Sequence, residues 1–222
     1  MTKLPSLITA SLVAGLLSLP LQAVDSVDTS GPGQLIESAA KSMLKELDTH
    51  RAEYRKDPKK VEQLVDEVLL PNFDAQYAAR LVLGTHWRAA TPQQRDRFIN
   101  GFYNSLVRNY GSALAEFTGD RLKVFPAQIA PDGQRATVRT EVKRSNGDRV
   151  PVNYSLRKTD AGWKAWDVTI EGISYVKSFR DDFGAEIDQK GLDAVIERLE
   201  KGDTPAPQKY IVCNADEGDS GT

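Results

Sequence analysis

Two histidines, one cysteine, one serine in a suggestive setting and four clustered carboxylates are the residues whose types could do covalent or acid–base chemistry. Gly218-Asp219-Ser220-Gly221 reads like the surroundings of a trypsin-type nucleophile. Such a serine needs a histidine within hydrogen-bond reach and rigid backbone donors for an oxyanion. The stretch from Asp203 to Thr222 is rich in Pro, Gly, Asp and Ser, lacks the apolar content to fold alone, and provides no such frame. His50 follows an apolar helical stripe, and His86 sits in Gly84-Thr85-His86-Trp87 without a second ligand or an orienting motif. Cys213 stands alone, so it forms neither an internal bridge nor part of a cysteine metal cluster. A His-Glu-x-x-His helix, a phosphate-binding glycine loop and a Gly-x-Ser-x-Gly elbow are all missing. Asp167, Glu171, Asp181 and Asp182 have Lys and Arg neighbours, which makes solvated ion pairs the default reading. The expectation is a protein that is not an enzyme and holds no metal or cofactor.

Its first residues point to export. Lys3 precedes an apolar run through Leu7, Ile8, Leu12, Val13, Leu16, Leu17 and Leu21, ending at Leu21-Gln22-Ala23 before Asp25. A short apolar run, interrupted by serines and Pro20 and closed by small residues, is the pattern of a cleaved signal peptide over 1–23. A flexible segment over 24–33, one domain over 34–202 and a disordered tail over 203–222 follow. Cleavage removes Lys3 and no acid, leaving 28 basic against 31 acidic side chains, a net −3. That balance argues against nucleic acid as a partner.

The elements that must position any site change period half-way. Leu35, Ile36, Ala39, Ala40, Met43, Leu44 and Leu47 recur at helical spacing. Asp57-Pro58 opens a second helix through Val61, Leu64, Val65, Val68 and Leu69, and Asp74 caps a third that Gly84 ends. Thr91-Pro92-Gln93-Gln94 is a capping box before a long helix with Phe98, Phe102, Leu106 and Tyr110 on one stripe. From Arg121 the period is two. A weak strand runs to Ile129, followed by Arg135–Arg144, a turn at Ser145-Asn146-Gly147-Asp148, and a return strand with Val150, Val152, Tyr154 and Leu156 on one face. A further strand puts Trp166, Val168 and Ile170 together, and helices near 175–189 and 192–201 close the domain. Helices, an antiparallel meander and helices again give an α+β fold with helices against one sheet face.

Two stretches carry a resemblance. One is Leu70-Pro71-x-Phe73-Asp74, continuing through Leu83-Gly84-x-x-Trp87-Arg88-x-Ala90-Thr91 to Gln94, Phe98, Phe102, Leu106 and Tyr110. The other is Trp166-Asp167-Val168-x-Ile170-Glu171-Gly172-Ile173-Ser174, then Phe179-Arg180-x-x-Phe183 and Gly191-Leu192. Their order and spacing over about Ile36 to Leu199 resemble the MlaC family, the Ttg2D-like toluene-tolerance proteins. Phe179 departs mildly from the tyrosine common in that family, keeping the ring and losing a hydroxyl. The resemblance implies an NTF2-like curved antiparallel sheet packed against helices, with a helical subdomain, enclosing an apolar pocket. It also implies a periplasmic carrier of phospholipid within the Mla pathway, which maintains outer-membrane asymmetry; a monomer is the simplest expectation for a shuttle that must diffuse. An inner-membrane ABC transporter with an MCE-domain protein and an outer-membrane lipoprotein–porin complex would be its partners.

The expected lining is Val138, Val142, Val150, Val152, Tyr154, Trp166, Val168 and Ile170 from the sheet, faced by Phe102, Leu106, Tyr110 and Phe179. Periodicity alone favours a solid core; it is the resemblance that makes this face a pocket. Arg139, Lys143 and Arg149 are candidate phosphate partners at a rim. Strand alternation points them away from the apolar face, as ordinary solvated residues. Two other readings stay open: an enzyme on the same general fold, which would need a polar pocket, and a ligand-free adaptor that binds protein.

Overall fold

The computed structural model of the protein describes residues 27–114, 122–143 and 147–203, with no side-chain description for Pro58 and 109–114. The segments read as a signal peptide and as a tail beyond Asp203 lie outside the described residues. Among those residues, no helix is long and apolar enough to cross a membrane.

Local chemistry places the helices. α1 runs Pro32–Lys56, with a non-helical break at His50 (φ −118°, ψ 20°). Asp57 then caps α2 (Pro58–Val68), its side chain accepting from the Lys59 amide at 3.2 Å. A 3₁₀ turn at Leu70–Asn72 leads to α3 (Ala75–Leu83), capped by Asp74 on the Tyr77 amide at 3.0 Å. The short α4 (His86–Ala89) occupies what the sequence presents as a loop. α5 (Pro92–Leu114) begins at the expected capping box: the Gln94 amide donates to Thr91 Oγ1 at 3.2 Å, and the Thr91 amide donates to Gln94 Oε1 at 3.0 Å.

The strands are β1 (Leu122–Val124), β2 (Gln128–Ile129), β3 (Arg135–Lys143), β4 (Arg149–Thr159), β5 (Gly162–Ile170) and β6 (Ile173–Ser174). They form one antiparallel sheet in the order β1-β3-β4-β5-β6, with β2 also on β3. The single weak strand expected over 121–129 is corrected to two, because Pro126 lies between them and a proline cannot donate to a ladder. α6 (Tyr175–Lys190) and α7 (Leu192–Glu200) follow.

Helices cover both faces. On one face, Leu35 and Ile36 of α1 pack with Ala136, Val138, Leu156, Trp163 and Ala165. α1 also joins α2 and α5 in a helical cluster built on Met43, Leu47, Val61, Leu64, Val65, Val68 and Val107. On the other side, α3, α5, α6 and α7 form the largest core, in which Phe98, Phe102, Phe179 and Phe183 stack or meet edge-on at 5.2–5.9 Å. Gly101 lets α5 and α7 approach: a Cβ there would lie 3.1 Å from the Cβ of Leu199. The result is an α+β domain with an open antiparallel sheet between helices.

Candidate functional site

Register sorts the sheet residues into tiers across the α1-facing side. Leu156 lies opposite Ala136 and Ala165. Next come Tyr154, Val138 and Val168, then Val152, Thr140, Val124, Ile170 and Ile173, and finally Val150, Val142 and Leu122 at the hairpin end. Directly opposed residues share a face, so each tier is one continuous strip of side chains. Leu35 and Ile36 of α1 fill the first two tiers, with Tyr154 packed at the margin.

Beyond the residues packed under α1, the strip has a different character. Val150 and Val152 are buried, whereas Val142, Val168, Ile170, Ile173 and Leu122 are only half-buried. None of these seven belongs to the packed clusters among the described residues. Between Val150 and Tyr154 the strip runs about 13 Å, at about 3.3 Å per strand residue. The buried hydroxyl of Thr140 is satisfied within the sheet: Oγ1 donates to the Val152 carbonyl at 2.9 Å. Burial pushes the Tyr154 hydroxyl above the usual phenol range, so it stays neutral at physiological pH. The surface offered is aliphatic, uncharged and free of reactive groups, suited to hydrocarbon and unsuited to acid–base work.

One expected member is on the wrong side. The β4–β5 register shifts between Ser155 and Leu156: Ser155 opposes Asp167 and Leu156 opposes Ala165, so Trp166 is the extra residue of a bulge. Simple alternation groups Trp166 with Val168 and Ile170, and the bulge overturns that grouping. Trp166 packs on the α3/α6 core and meets Tyr77 edge-on at 5.5 Å. The guanidinium of Arg157 lies 4.5 Å from the Tyr77 ring centroid and pairs with Asp74 at 3.0 Å. Asp167 is 4% exposed; it accepts from Ser174 Oγ at 2.6 Å and from the Val176 amide at 3.0 Å, fixing the start of α6. This candidate acid thus anchors a helix.

Of the other expected lining, Val138 is in the solid core under α1, and Phe102 and Phe179 are in the phenylalanine cluster. Leu106 packs against that same cluster, and the side chain of Tyr110 lies outside the described residues. Val142, Val150, Val152, Val168 and Ile170 come together on the aliphatic strip, with Tyr154 at its inner end. The three candidate headgroup residues share the opposite face. Arg139 lies 5.6 Å from the Phe125 ring centroid, Arg149 pairs with Glu141 at 3.2 Å, and Lys143 stands opposite Arg149. That is the face to which strand alternation points all three. Sequence reasoning missed Leu122 and Ile173, which belong to the strip through pairs with Val142 and Ile170. Their strands are too short to show a period of two.

A cavity of about 200 Å³ lies elsewhere, between α5 and α7, lined by Arg97, Asn100, Asn104, Arg108 and Glu200. Arg97 forks onto Glu200 through two 2.8 Å bonds, and Arg108 donates to the Leu199 carbonyl at 3.0 Å. This groove is polar and its arginines are engaged in joining two helices. Among the described residues, no group of His, Cys, Asp and Glu is placed to hold a metal ion.

A family profile described as MlaC protein matches residues 37–201, most of the chain. The chain belongs to the MlaC family. MlaC relatives include the toluene tolerance protein ttg2D of Pseudomonas putida, 31% identical over 85% of this chain and 86% of its own. The intermembrane phospholipid transport system binding protein MlaC of Haemophilus influenzae is 20% identical over 79% and 84%. A solved structure, the phospholipid-binding protein of Ralstonia solanacearum in complex with a phospholipid, superposes with a TM-score of 0.69 at 27% identity. It covers 76% of this chain and 94% of that one.

Proposed function

We propose that this MlaC-family protein carries phospholipid, holding acyl chains against the aliphatic strip of β1, β3, β4, β5 and β6. The observation that supports it most is the likeness to a protein solved with a phospholipid bound, over nearly all of that protein's length. Exposing two acyl chains of about sixteen carbons to water costs on the order of 25 kcal/mol, at about 0.8 kcal/mol per methylene. A carrier makes transfer reversible only if its interior is as apolar as the bilayer it empties, and Val142, Val150, Val152, Val168 and Ile170 supply such a wall.

The carrier works in the periplasm after removal of residues 1–23. It exchanges lipid with an inner-membrane ABC transporter bearing an MCE-domain protein and with an outer-membrane lipoprotein–porin complex. Its ligand is the lipid itself, and its mechanism needs no chemical step. Native mass spectrometry of protein purified without detergent from periplasm, followed by lipid extraction, tests the reading. A mass excess equal to one or two phospholipids is expected. A clean apo mass with no uptake from vesicles would overturn it.

A further inference from the structure

We propose that Tyr154 is the floor of the acyl-chain site and sets the longest chain the protein accepts; this rests on the carrier reading above. The residue stands where the face changes character. On its inner side, Leu156, Ala136 and Ala165 are packed solid under Leu35 and Ile36 of α1. On its outer side lie the tiers of Val152 and Val150, which end at Val142 and Leu122 and belong to no packed cluster among the described residues except through Val124.

The ring stands at that boundary. Its Cα belongs to the tier of Val138 and Val168, and its side chain packs at the edge of the cluster under α1. Thr140, one tier nearer the hairpin end and one strand over, is committed to the Val152 carbonyl. An aromatic ring backed by a packed core is a stiff stop, because the close-packed residues behind it leave no room for it to swing aside. Acyl carbons beyond the stop would meet the α1-filled core, which has no space for them. The strip from Val150 to Tyr154, about 13 Å, is close to one leaflet's share, about 15 Å, of the hydrocarbon thickness. A stop at that depth matches chains of ordinary membrane length and rejects longer ones.

The experiment uses the full-length protein and equimolar vesicles of dimyristoyl, dipalmitoyl and distearoyl phosphatidylglycerol, with the bound lipids counted by native mass spectrometry. Each methylene that gains or loses apolar cover changes affinity about fourfold. Replacing the ring by Tyr154→Ala is expected to move the bound profile toward distearoyl lipid, by on the order of tenfold relative to dipalmitoyl. Adding bulk one tier out, by Ile170→Phe, is expected to move it toward dimyristoyl lipid. Tyr154→Phe keeps the ring and its packing, and is expected to leave the cut-off in place. The variants are checked by circular dichroism and total lipid load. A folded, loaded Tyr154→Ala protein with the wild-type chain-length profile refutes the floor. If that variant fails to fold, an unchanged profile in Ile170→Phe does the same. Wild-type protein that takes up no lipid would overturn the carrier reading instead, so the two failures are separable.

Discussion

Placing a carboxylate at Val152 tests the aliphatic strip most directly. Val152 is 8% exposed and sits between Thr140 and Ile170 in its tier. Arg139, Lys143 and Arg149, the basic residues of β3 and β4 nearest Val152, are on the opposite face, and Lys158 on the same face is three tiers away, about 20 Å along the strand, so Val152→Glu gains no cation. When acyl chains cover the strip, the new carboxyl must take up a proton. An ordinary glutamate has a pKa of about 4.3, whereas buried ones rise to about 8–9. Neutralising it at pH 7 then costs about 3.5–4 kcal/mol, a loss of several hundredfold in affinity. The sign follows from the lipid-bound pKa being the raised one. The penalty is absent below about pH 4, grows about tenfold per pH unit, and levels off only above the bound-state value. Lipid uptake from vesicles at pH 5, 6, 7 and 8, compared with wild type and with Val152→Gln, reads this slope. The glutamine variant is expected to lose a constant amount, about 1–3 kcal/mol, at every pH. A folded Val152→Glu protein whose affinity relative to wild type does not vary with pH would show that Val152 is not beneath the lipid.

Three other outcomes are expected. Asp167→Ala removes the acceptor for Ser174 and for the Val176 amide, so thermal unfolding should report a loss of about 2–4 kcal/mol while any protein still folded keeps its lipid load. The double variant Lys143→Glu, Arg149→Glu alters only the outer face, so lipid load and chain-length profile should match wild type; a severalfold drop in load would restore these residues to the site. Burial pushes the Glu186 carboxyl up, but hydrogen bonds from Arg198 and Lys190 outweigh it and hold the group below its ordinary value. A depressed folded-state value means stability that is present above the unfolded value and lost as pH falls through the folded one. Denaturant melts of Glu186→Gln and wild type should therefore differ at pH 7 and converge toward pH 3.

Where structure is set by neighbours in sequence, the chain announces it. Asp57-Pro58, Asp74 and Thr91-Pro92-Gln93-Gln94 each close a local hydrogen bond, and α2, α3 and α5 start where those residues stand. Alternation in β3 and β4 likewise predicts which side chains share a face, because their ladder is unbroken from Arg135 to Lys143. The errors arise where partners distant in sequence decide. Trp166 shows perfect alternation with Val168 and Ile170, and only the pairing of β5 with Ser155 and Leu156 reveals the inserted residue. Phe102 and Phe179 look like pocket lining on a helical stripe, but they are core because α5 and α6 bring four phenylalanines together. Leu122 reads from the sequence as facing the same way as Val124, but strands as short as β1 and β6, of three and two residues, carry too little period to assign Leu122 or Ile173 to the strip.

The bulge at Trp166 has a consequence for how such a domain can change over time. Before it and after it, one strand serves two different masters. Trp166 and Asp167 are bolted to α3 and α6, while Val168 and Ile170, the next residues along, face the aliphatic strip. Because the rotation is made within the backbone, the scaffold's requirements fall on one pair of positions and the strip's on another. Substitutions at Val168 or Ile170 can reshape the strip without loosening a single bolt.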